Sequence, residues 1–201
     1  MTNPAPGDSY SAAERKIIGP FRQRLLQATR PLVTLLARLD VHPNVLSASQ
    51  VVGGFAVLAL APSYPRLAFV LFLSLLLIDG LDGALARATG KASTFGGLVD
   101  QYCDHIREIT VVAGLAIWGT PAVLPAVLYG LIYTGLNLTV YLANAHGAPV
   151  PWALKSYLIV YPALFLYLWF GLDLLTPAVV LSEMLMLLVI GIGLRNLARA
   201  M

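Results

Sequence analysis

Residues 66–87 read RLAFVLFLSLLLIDGLDGALAR, and residues 96–118 read GGLVDQYCDHIREITVVAGLAIW. The first begins as an apolar run and closes on Asp79 and Asp82 among small residues; the second opens with Asp100 and Asp104 and continues apolar. A bilayer core of about 30 Å takes about 20 apolar residues of helix, so both stretches read as transmembrane helices. A carboxylate at that depth costs roughly 2.5–3.5 kcal/mol on insertion scales. Four of them in adjacent helices need a cation, water or protons as compensation.

The rest of the chain agrees with a membrane setting. Of 201 residues, 58% are hydrophobic and 11% charged, against roughly 25% charged in a soluble domain. Mean hydropathy is +0.78, which excludes a water-soluble globule. Half of the ten acidic residues, Asp79, Asp82, Asp100, Asp104 and Glu108, crowd into one stretch. Cut at its Pro, Gly and charged punctuation, the chain gives six apolar segments: Asn44–Ala61, Arg66–Arg87, Gly96–Trp118, Pro121–Ala143, Val150–Phe170 and Leu174–Leu197. Ahead of them, Ser11–Leu39 repeats Ile17, Phe21, Leu25, Leu32, Leu35 and Leu36 at helical spacing among Arg15, Lys16, Arg22, Arg24, Arg30 and Arg38. Such a pattern predicts an amphipathic helix on the membrane surface. The expected fold is all-α, with residues 1–43 a tail and surface helix and residues 44–201 a domain of six transmembrane helices.

Eleven of the thirteen Lys and Arg residues fall on one side of that six-span layout, Arg66 falls on the other, and Arg107 lies within a span. By the positive-inside rule both termini are cytoplasmic. Basic residues confined to span ends mark topology and give no reason to expect a nucleic-acid partner. The polar, basic first 40 residues lack the short apolar run of a signal peptide, so none is expected. The lone Cys103 excludes an internal disulfide and reads as a small packing residue.

Asp79 and Asp82 are separated by three positions and Asp100 and Asp104 by four, so each pair occupies one helix face. The short connection Ala88–Phe95 makes the two helices antiparallel neighbours whose pairs face each other near the cytoplasmic end. Oxygen donors of this kind suit Mg²⁺, Mn²⁺ or Ca²⁺, and Mg²⁺ commonly shares carboxylates with a substrate's phosphate oxygens. Gly80, Gly83, Ala84, Ala86, Gly96 and Gly97 keep the helix surfaces low beside the acids. Small residues also serve close helix packing. Arg87 lies one to two turns beyond the first pair, where it can neutralise a phosphate.

The run Asp79-Gly-Leu-Asp82-Gly83-Ala-Leu-Ala86-Arg87, eight further residues, and Gly96-Gly-Leu-Val-Asp100-Gln-Tyr-Cys-Asp104 resembles the complete signature of the CDP-alcohol phosphotransferases, D-x-x-D-G-x-x-A-R-x8-G-x3-D-x3-D. His42-Pro43-Asn44-Val45 also resembles the family's approach to its first span. The resemblance implies a membrane enzyme of phospholipid biosynthesis that passes a substituted phosphate from a CDP-linked donor to an alcohol and releases CMP. It implies that Asp79, Asp82 and Asp100 hold divalent metal, Mg²⁺ or Mn²⁺, and that Asp104 is the general base and also near metal. It implies that Asn44, Gly83, Arg87 and Ser93 contact the CDP portion, that CDP-diacylglycerol is the donor, and that the enzyme is a homodimer with its active site facing the cytoplasm. For Asn44 and Ser93, helix capping or loop hydrogen bonding is the plainer alternative.

Lys155 and Arg195 are candidates for an acceptor or lipid phosphate, against the simpler part of snorkelling anchors. Family members with a phosphorylated acceptor resemble one another in a basic cluster soon after the signature, where this chain has Asn137, Tyr141, Asn144 and His146. An uncharged polyol such as inositol is therefore the expected acceptor. Arg107 and Glu108, one turn beyond Asp104, read as a structural pair, with support of the acids behind the metal as the alternative, and His105, about 100° around the helix from Asp104, as a polar neighbour. Glu183 stands alone in the last span, and Trp118, Trp152 and Trp169 fall near span ends, as an aromatic belt would. Diacylglycerol accepting from CDP-choline or CDP-ethanolamine would use the same signature. A prenyltransferase would need a second, more distant Asp pair and more spans. A cation transporter would place its acids at midplane between repeats, and no repeat is visible.

Overall fold

The computed structural model describes residues 27–117, 122–150 and 158–201. Seven helices lie among them: α1 over residues 27–38, α2 Pro43–Leu60, α3 Pro65–Ala88, α4 Thr94–Ile117, α5 Val123–Ala145, α6 Val160–Phe170 and α7 Leu175–Ala200. No strand occurs among the described residues. Each expected span coincides with a helix to within a few residues, except that the described part of Val150–Phe170 is the 11-residue α6. Lys155, Trp118, Trp152 and the start of the amphipathic segment, residues 11–26, lie outside the described residues.

Local chemistry sets these boundaries. Pro43 and Pro65 open α2 and α3, where a missing N–H costs nothing because the first helical N–H groups have no partner within the helix. His42 adds a cap, its Nδ1 accepting from the Asn44 N–H at 3.2 Å. Gly171 closes α6 in the left-handed conformation at φ 70°, which a side chain would disfavour.

Four helices, α2, α3, α5 and α7, are long and apolar enough to cross a membrane. Between them they leave large apolar side chains uncovered, such as Val52 at 72%, Leu131 at 67% and Met184 at 65% exposure. In water such surface would be a liability; in lipid it is the natural outer face. The chain folds as an all-α membrane protein.

Two compact units divide the chain, one within Lys16–Val111 and the other within Val112–Met201. In the first, α2 packs along α3, closely enough that a Cβ on Gly53 would run into Leu75. Helix α1 adds Val33, Leu36 and Ala37 against Leu81, Ala84 and Leu85 of α3, while Leu32 and Leu35 stay exposed. In the second unit α5 and α6 pack on α7, around Tyr129, Leu136, Val179, Met186 and Val189.

Candidate metal centre

Helix α3 presents Asp79 and Asp82 one turn apart, and α4 presents Asp100. One carboxylate oxygen from each of the three lies within 4.8 Å of the other two. Two oxygens bound at 2.0–2.6 Å to one ion are at most about 5 Å apart, so the three residues can hold a divalent metal. The chemistry of the set agrees. All donors are oxygens, and Asp100 Oδ1 is buried with no hydrogen-bond partner among the described residues, a state that a bound cation relieves.

Asp104 is not one of the three but lies beside them, in contact with Asp79. One turn beyond Asp100, it accepts a 2.9 Å bond from Arg107 Nη1, which also lies 3.8 Å from Asp79 Oδ1. Arg107 is 5% exposed, and α2 lets it approach. A Cβ on Gly54 would meet Arg107 Cα at 3.4 Å, so the two helices run close together there. Arg107 is thus a buried cation shared by Asp104 and Asp79, which fits support of the acids, the alternative to a structural pair with Glu108.

Helix α2 contributes two residues that sequence reasoning passed over. Ser47 Oγ donates to Asp82 Oδ2 at 2.7 Å. Gln50 Nε2 reaches Asp79 Oδ1 at 3.4 Å and Asp82 Oδ2 at 3.3 Å. The available signal was the spacing of Asn44, Ser47 and Gln50, one per turn along a span whose other polar side chain is Ser49.

The remaining expected site residues fall into two further groups. Ser93 accepts from the Gly96 N–H at 3.0 Å, so it caps α4. A Cβ on Gly96 would meet Ser93 Oγ at 3.2 Å and Asn44 Oδ1 at 3.5 Å; Asn44 therefore stands at that same helix end. Arg87 lies over Gly83, its Nη1 3.4 Å from where a Cβ would be, and is exposed. Arg195 is exposed near the end of α7. Asn137 and His146 bond back to their own helix, to the Tyr133 and Leu142 carbonyls.

A helical membrane chain with three carboxylates converging beside a capped helix end has a donor set that suits a divalent cation. Residues 40–194 match the family model for CDP-alcohol phosphatidyltransferase, and the chain belongs to that family. It is 32% identical over 108 residues to the archaetidylinositol phosphate synthase of Pyrococcus horikoshii, covering 51% of this chain and 55% of that protein. It is 31% identical over 105 residues to the phosphatidylinositol phosphate synthase of Mycobacterium marinum, covering 49% and 44%. The chain thus spans about half the length of the curated relatives it matches. In fold it is similar to the Mycobacterium tuberculosis phosphatidylinositol phosphate synthase in complex with manganese and citrate, with TM-score 0.73 and 21% identity over 85% of this chain and 88% of that one. The apo form of the same synthase gives a TM-score of 0.62.

Proposed function

We propose that this protein transfers the phosphatidyl group of CDP-diacylglycerol to a hydroxyl of an inositol-type alcohol, releasing CMP. The observation that carries this reading is the three-carboxylate cluster of Asp79, Asp82 and Asp100, set within a complete family signature. Mg²⁺, or Mn²⁺, is the fitting cofactor, held by those three with Asp104 at its edge. Bound there, it supplies neutralising charge at the donor's diphosphate.

The chain's own groups do the rest. Gly83 leaves room for the nucleotide, with Arg87 beside it for a phosphate, and Asn44 and Ser93 border the CDP portion at the N-terminal end of α4. Asp104 is the general base. The Arg107 guanidinium holds Asp104 Oδ1 and so orients the carboxylate that takes the acceptor's proton as the hydroxyl attacks. One phosphorus–oxygen bond forms to the alcohol on the lipid-bearing phosphorus. The bond from that phosphorus to the bridging oxygen breaks, and CMP leaves with the electron pair. No covalent enzyme intermediate is needed.

The names of the relatives support an inositol acceptor and add a phosphate to it. Lys155 and Arg195 are the cations this reading assigns to such a phosphate. In the membrane, α4 and the segment ending in α6 complete six spans, after a surface helix within residues 1–43. Both termini and the active site face the cytoplasm, and the enzyme works as a homodimer.

The test is CMP release by purified protein given Mg²⁺ and CDP-diacylglycerol, with inositol, inositol phosphate, glycerol phosphate and serine offered in turn. CMP with either inositol acceptor supports the proposal. CMP only with CDP-choline or CDP-ethanolamine and diacylglycerol moves the chain to that branch of the family, and no CMP from any pair contradicts the enzyme reading.

A further inference from the structure

Gln50 is completely buried in α2, although nothing in the family signature includes it. A carboxylate can only accept hydrogen bonds when ionised, which settles the orientation of the amide. Nε2 must face Asp79 and Asp82, as observed, because Oε1 in its place would oppose two acids. The one amide group stretches between two acceptors, at 3.4 Å to Asp79 Oδ1 and 3.3 Å to Asp82 Oδ2. Ser47, one turn earlier, adds a short 2.7 Å bond to that same Asp82 oxygen. Gln50 Oε1 is left buried without a hydrogen-bond partner among the described residues, a cost that an apolar residue at this packed position would avoid.

From this geometry we infer that Gln50, assisted by Ser47, is a positioning residue that ties the Asp79 and Asp82 carboxylates together at the spacing a divalent cation requires. The inference rests on reading these acids as a metal site. Asp79 Oδ1 and Asp82 Oδ2 are engaged from α2, and Asp82 Oδ1 accepts from the Gly83 N–H, so these bonds together limit how the two carboxylates can turn. Partners of this kind, which hold ligands without touching the metal, typically change metal affinity by 10–100-fold when removed. Because α2 and α3 are packed along their length, the donors come from a stiff element instead of a loop.

The experiment is a Mn²⁺ titration of the purified full chain in detergent, followed by the electron paramagnetic resonance of free Mn²⁺. Wild type, Gln50→Met, Ser47→Ala and the control Ser49→Ala are compared, each checked for helicity and monodispersity. Ser49 is exposed, and its hydroxyl bonds only to the Leu46 carbonyl of its own helix. The expected result is a 10–100-fold weaker Mn²⁺ affinity for Gln50→Met, a several-fold weaker one for Ser47→Ala, and no change for Ser49→Ala. CMP release by Gln50→Met should recover as Mn²⁺ is raised, whereas a residue needed only for folding would lower turnover at every metal concentration. Ser47→Ala removes one oxygen and carries the test if Gln50→Met does not fold. Wild-type affinity in the variants overturns the positioning role. Absence of Mn²⁺ binding in wild type overturns the metal reading itself and, with it, the proposed function.

Discussion

The interface of α2, α3 and α4 and the interface of α5 and α7 are built from the same apolar alphabet and use it in opposite ways. The first buries Ser47, Gln50, Asp82, Arg107 and Glu108 and joins most of them in one network around the acids. The second surrounds Tyr129, Val179, Met186 and Val189, all fully buried, with a single acid, Glu183, whose Oε1 has no hydrogen-bond partner among the described residues. Within a membrane, apolar burial gives little advantage over contact with lipid, so packing and polar contacts carry helix association. One interface therefore holds by shape, and the other trades shape for a charged network that can do chemistry.

Breaking the network should have the largest effect. Asp79→Asn removes a proposed metal ligand and a partner of both Gln50 and Arg107. It should lower metal affinity and turnover together, the latter by about 100-fold or more, measured by Mn²⁺ titration and CMP release. Met186→Ala is the matching lesion in the shape-based interface. It should cost about 2 kcal/mol as a cavity, seen as a lower unfolding temperature in detergent, with Mn²⁺ affinity unchanged. If Met186→Ala abolished metal binding while leaving stability intact, the contrast between the two regions would fail.

Glu183→Gln is a smaller probe. It keeps the size of the side chain and removes its charge, so turnover should be unaltered and the unfolding temperature equal or higher. A large loss of CMP release would move Glu183 into the functional machinery. The smallest effect is expected at the turn after α1, where Lys91 donates to Asp40 at 2.7 Å. That contact and the ammonium charge hold the Asp40 carboxyl below its usual range. Its stabilisation is therefore present above the unfolded-state pKa of about 3.9 and fades as pH falls through the lower folded-state value. The pair is exposed, so Lys91→Ala should leave the unfolding temperature at pH 7 unmoved.

The sequence makes the helices and the acids plain, because apolar length and the Asp spacing are local properties. Helix α3, Pro65–Ala88, brackets the expected span Arg66–Arg87 by one residue at each end. The packing of the acids is less legible. Arg107 is visibly one turn from Asp104, but its approach to Asp79 depends on the closeness of α2 at Gly54, which no spacing within α4 encodes. Ser47 and Gln50 had a local signal, their alignment with Asn44, yet serine and glutamine in a span also serve ordinary helix contacts. Only the docking of α2 on α3 shows that they serve the acids. Helix α1 divides similarly: its apolar periodicity is readable, but not that Val33 would turn toward Leu81 and Leu85 while Leu32 and Leu35 stay outside.

The central claim is that three acids hold metal while a fourth, held by Arg107, removes the acceptor's proton. Asp104→Asn tests it most directly, with CMP release measured beside Mn²⁺ and CDP-diacylglycerol binding on one preparation. The account predicts turnover lower by about 100-fold or more, with Mn²⁺ and donor still bound. Full turnover by Asp104→Asn would contradict it.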